Sequence, residues 1–223
     1  MKPMLLVALV ALASTAVAAP TPPRFDEQVR QDFFDGIRGD DAALARARKL
    51  CDDKLAANPS YPEAMVWHGA IVMWDSALKF RAGDRAAGIA LYQQGLGEMD
   101  HAVELAPNDV GVRIPRGAVL LAMAPFTPEP EKAKLLQRGV ADYETTLAVQ
   151  NDYFAKLSLH SREQLLYGLT DAYAALGEQA KARALYTRMT RDAAGSELLP
   201  RAKTRAEGGS VAGPTPCQQC HAR

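Results

Sequence analysis

From Asp26 to about Ala194 apolar residues recur every three to four positions, the period of helices that bury one face. Phe25, Val29 and Phe33 fall at spacings of four and share one side of a first helix. Gly39-Asp40-Asp41 breaks and caps that segment, and Ala42 to Ala57 carries Leu44, Ala47, Leu50, Cys51 and Leu55 on one stripe. Asn58-Pro59 stops the second helix. Pro62 opens a third, where a missing N–H costs nothing because first-turn amides have no intrahelical acceptor. No alternating runs bounded by turn dipeptides argue for strands, so the pattern predicts an all-α body. Cys51, on an apolar stripe, reads as a small buried core residue.

The helical pattern repeats itself. Gly95 to Asp109 reads as a second helix with its exit turn, Gly139 to Asp152 copies it, and Leu169 to Tyr186 copies both helices of a pair, with Gly177 ending the first. The bulky anchors Met99, Tyr143 and Tyr186 stand 44 and then 43 positions apart. These stretches resemble tetratricopeptide repeats (TPR), whose units run to about 34 residues, so lengthened helices or loops are expected at Arg81 to Arg85 and Phe126 to Glu131. HEAT-type pairs of about 40–47 residues make another α-solenoid the structural rival.

The resemblance covers most of residues 40–195 and implies a TPR-like solenoid of three to four helical hairpins, with the first helix of each pair facing a concave groove. By that pattern the groove includes Val66, Ala70, Met73 and Trp74, then Ile114, Ala118 and Leu121, then Tyr167, Asp171 and Ala174. Such a groove suits a protein partner, although Trp67 or Trp74, Met73 and Met123, taken singly, read more readily as core. Arg113 and Arg116 lie three apart on one helical face. They are a carboxylate clamp on one reading and intramolecular partners of Asp109, Glu104 or Asp142 on the other.

Around the helical domain (26–195) the composition shifts. Lys2, an apolar run from Met4 to Val17 and the small residues Ala16-Val17-Ala18 form a secretory signal peptide over 1–18, followed by a Pro-rich linker over 19–25. The apolar run is short of the roughly 20 residues a membrane span needs. The expectation is an exported protein, most simply periplasmic, with no integral membrane segment after cleavage. Lys+Arg and Asp+Glu total 26 each, a balance that gives no reason to expect nucleic acid as a partner. After the domain, 196–207 reads as a capping helix with Pro200 in its first turn, and 208–216 as a mobile Gly/Pro linker.

The tail, 217–223, carries the chemistry. Cys217-Gln218-Gln219-Cys220-His221 is similar to the haem-attachment motif of c-type cytochromes, a likeness confined to five residues. That resemblance implies one covalent haem c, with Cys217 and Cys220 as thioethers and His221 as an axial iron ligand. The body would then supply the sixth ligand from among His68, His101, His160, Met73 and Met123, or none at all. Three other readings of the tail stay open: a structural or redox-active disulfide, a metal site one ligand short of zinc's four, and an incidental sequence. The four histidines pair with no nucleophile motif, which points to an electron carrier or binding protein rather than a hydrolytic enzyme. A haem-free adaptor for protein complexes is the alternative.

Overall fold

A computed structural model describes residues 24–211. Two short 3-10 turns interrupt an otherwise α-helical chain, and there is no strand among the described residues. In order come α1 (Phe25–Ile37), α2 (Asp41–Ala57), α3 (Pro62–Arg81), α4 (Arg85–Leu105), α5 (Val110–Met123), α6 (Glu131–Val149), α7 (Leu159–Ala175), α8 (Gln179–Asp192) and α9 (Leu199–Ala206). Neighbours pair as hairpins: α1 with α2, α3 with α4, α5 with α6 and α7 with α8. The first helix of each pair also meets the first helix of the next, and α9 lies against α7 and α8. The expected all-α solenoid of helical hairpins is the fold this chain adopts.

Three of the four hairpin turns use one device. Gly39, Gly83 and Gly177 take left-handed backbone (φ 112, 85 and 76°), which only a residue without Cβ adopts cheaply. The next residue, Asp40, Asp84 or Glu178, donates its amide back to Asp35 O, Lys79 O or Tyr173 O at 2.9–3.1 Å. Orphan carbonyls at the helix end are thereby satisfied. The same acidic residue then starts the next helix, and the Asp40 and Asp84 carboxylates accept from Ala43 N and Ala87 N. Between α5 and α6 the device is replaced by the 3-10 turn Ala124–Phe126 and a Pro-rich connection with a cis Glu129–Pro130 bond.

Extra length resides in two different places. Arg81 to Arg85 is one of the tight turns, so the added residues of that hairpin lie in the helices: α3 and α4 have 20 and 21 residues, against 17 and 14 in α7 and α8. In the next hairpin they lie in the connection. Small residues let the paired helices touch. A Cβ on Gly95 would stand 2.7 Å from the Gly69 carbonyl oxygen, and one on Gly139 would stand 2.7 Å from Leu121. Gly95, Gly139 and Ala182 each precede an anchor by four positions, or one helical turn. Met99 and Tyr143 are buried, whereas Tyr186 is half-buried and Met189 fills the core of α8.

The core has two parts. One runs from Phe25, Val29 and Phe33 through Trp67, with Phe33 edge-on to that indole at 5.3 Å, to Leu120 and Leu136. The other gathers Val140, Tyr143, Leu166, Tyr173 and Met189 around α7. No described helix is long and apolar enough to cross a membrane.

Candidate functional site

Cys217, Cys220 and His221 lie outside the described residues, as do the signal peptide and most of the 208–216 linker. The body's candidates are all described. Met73 is fully buried in the α3–α4 contact, against Gly95, which removes it from the set that can reach an iron. Met123 is half-buried at the end of α5. His160 is half-exposed on α7, with Nδ1 3.6 Å from Glu163.

His68 and His101 come together on one open concavity of about 490 Å³, bordered by Leu55, Pro59 and Met65. Helices α2, α3 and α4 meet there. His68 Nδ1 donates to Glu98 Oε2 at 2.5 Å, and Nε2 faces Asp52 Oδ1 at 3.4 Å. The Glu98 hydrogen bond holds the His68 pKa above its ordinary value, against the opposing effect of burial. An imidazole placed between two carboxylates favours its doubly protonated form, which has no lone pair to offer a metal. His101 is more exposed, with Nδ1 3.2 Å from Glu104. No group of three or more metal-ligating side chains forms among the described residues.

The expected groove residues divide by burial. Val66 is fully buried with Met73, so both serve the core rather than an open face. Trp74 is half-buried under the Arg81 guanidinium, 5.6 Å from its ring centre, and Ile114 is exposed. Leu121 and Tyr167 do meet across a cavity of about 260 Å³ between α5 and α7, with Ala118 and Asp171. Tyr143 and Leu136 of α6 help to line it, and Arg205 of α9 stands in its wall. Arg205 pairs with Asp171 at 2.5 Å, and the Arg201 Nε approaches the Tyr167 hydroxyl at 3.5 Å. Burial raises the Tyr167 phenol pKa, so that hydroxyl stays neutral. Sequence periodicity finds Leu121 and Tyr167 but not Arg205, which arrives from a helix 34 positions beyond Asp171.

Arg113 and Arg116 do not form a clamp for an outside ligand. Both bind Asp142, which is fully buried: Arg113 Nη1 at 2.7 Å, and Arg116 through Nε at 2.7 Å and Nη2 at 2.8 Å. Arg116 also reaches Asp100 at 3.0 Å, and Arg138 pairs with that same carboxylate. The network ties α4, α5 and α6 together. Removing Arg116 from beside Asp142 strands a buried charge, at a cost of about 3–5 kcal/mol. Cys51 is fully buried and its thiol is pushed up to about 12, chiefly by burial, so it is not a thiolate at neutral pH.

No protein-family model matches this chain, and neither a curated protein nor a solved structure matches it.

Proposed function

We propose that this is an exported, TPR-like interaction module that carries one covalent c-type haem on its C-terminal tail and passes electrons between periplasmic partners. The observation that carries the reading is Cys217-x-x-Cys220-His221 downstream of an export signal. The donor set fits the group: two thiols at the spacing of two vinyl substituents, and an imidazole beside the second. Burial withdraws the thiol of Cys51 from exchange with the tail cysteines. Bound haem supplies one-electron chemistry, with an electron taken from a reduced exported partner and given to an oxidised one. The solenoid's part is recognition, since stacked hairpins leave a continuous face for a partner.

The test is expression in a host competent in cytochrome c maturation. The mature chain is expected to weigh one haem more than its polypeptide, with a Soret band that survives acid–acetone extraction. A colourless product at the bare polypeptide mass from that host would overturn the haem reading and leave a haem-free adaptor with a CxxC tail.

A further inference from the structure

The cavity between α5 and α7 has an occupant within reach. Its wall is mostly apolar, with Leu121, Leu136, Tyr143, Tyr167 and Ala175, and its charged members are Lys132, Arg205 and Asp171. Arg205 is paired with Asp171 there, so the surplus positive charge is that of Lys132. The chain leaves α9 beside this cavity: Arg205 Nη1 donates to the Gly209 carbonyl at 3.3 Å, and Gly209 N donates to Thr204 O at 2.8 Å. Eight Cα–Cα steps lead from Gly209 to Cys217, a reach of at most about 28 Å. Phe126, next in the chain to the lining residue Pro125, is 84% exposed, the most open large apolar side chain described. Exposed apolar surface beside an apolar hollow marks a place that something covers.

We infer that the haem-bearing tail, residues 212–223, docks intramolecularly in this α5–α7–α9 cavity. The inference rests on the haem reading above. At about 260 Å³ the hollow is smaller than the ~300–1,000 Å³ pockets that enclose a small molecule, so it seats one edge of a flat ring and leaves the other outward. Apolar side chains take the ring and Lys132 faces its carboxylates. Among the described lining residues there is no histidine, methionine or cysteine, so the seat holds by shape and charge rather than through iron. A tether this short places the tail at an effective concentration of about millimolar, at which even a weak site is occupied. The outward edge is the one a partner would meet.

Hydrogen exchange on the full mature chain tests this, comparing haem-loaded protein with the Cys217→Ser/Cys220→Ser chain, each checked by intact mass. Amides over 118–125 and 164–175 are expected to exchange several-fold more slowly in the loaded protein, as ligand-covered segments do. Ala175 is exposed, so Ala175→Trp fills the mouth without disturbing the core. That variant is expected to keep its haem and lose the protection. Full haem mass with unchanged exchange in both segments overturns the seat alone. So does protection that falls instead around His68 and His101, or protection that persists in Ala175→Trp. Bare polypeptide mass in the loaded sample overturns the haem reading itself, and the seat with it.

Discussion

His68 sits where three helices converge, between Glu98 of α4 and Asp52 of α2, with the Arg48 guanidinium opposing both at longer range. Its pKa is raised above that of a free imidazole. The stabilisation from its proton is therefore fully present below the unfolded value of about 6.5 and is lost as pH climbs through the higher folded value. His68→Gln is expected to destabilise the protein by about 1.5 kcal/mol near pH 5.5, the worth of a hydrogen bond to a charged group. The deficit should be smaller at about pH 9, because the proton's contribution is lost as pH climbs through the folded value. Urea unfolding of both proteins at the two pH values measures this, and a deficit that grows with pH would contradict it. The Asp142 network makes the complementary point at this scale. Of the two readings of the arginines three apart, the intramolecular one holds, and the carboxylate that answers them, Asp142, lies fully out of solvent.

At the scale of the element, glycines two positions apart in α4 have opposite meanings. Gly95 presses on the Gly69 carbonyl and on Met73, whereas a Cβ on Gly97 meets nothing within 4 Å. Gly95→Ala must move backbone and is expected to cost about 1–3 kcal/mol, as overpacking does. Gly97→Ala is expected to gain about 0.5–1 kcal/mol, because alanine loses less backbone entropy in a helix. Thermal unfolding of the pair decides it; equal and like-signed shifts would show that the α3–α4 crossing does not constrain Gly95.

Much at this scale was legible in advance. Asp40 and Gly177 announced their turns, Pro62 its helix start, and Phe25, Val29 and Phe33 their buried face, because caps, turns and periodicity act over a few residues. Less was legible wherever contact spans helices. Nothing local tells Met73, sealed against Gly95, from Leu121, which opens on a cavity, since both occupy inward positions of a first helix. Glu98 beside His68, Asp100 beside Arg116 and Arg205 beside Asp171 are likewise pairings that only the packed stack creates.

Across the whole molecule, stability follows the partition of the core. One cluster occupies α1 to α5 and the start of α6, and the other the rest of α6 through α9, with Leu121 and Leu176 touching both. Solenoid units contact only their neighbours, so their stabilities need not rise and fall together. The Arg116–Asp142 network, however, welds α4, α5 and α6 across the place where the clusters meet. Leu166, fully buried in α7, probes which influence governs. Leu166→Ala is expected to cost about 3 kcal/mol, a ~100-fold rise in the open population of the unit that holds it. Amides of α7, α8 and α9 are expected to lose that protection in native-state hydrogen exchange, those of α5 and α6 to lose part of it, and those of α3 and α4 to keep theirs. Equal loss from α3 to α9 would show that the weld makes the stack one cooperative body. The graded result would instead leave the cavity between α5 and α7 in the part of the molecule that opens first, so an occupant there would stabilise the C-terminal half selectively.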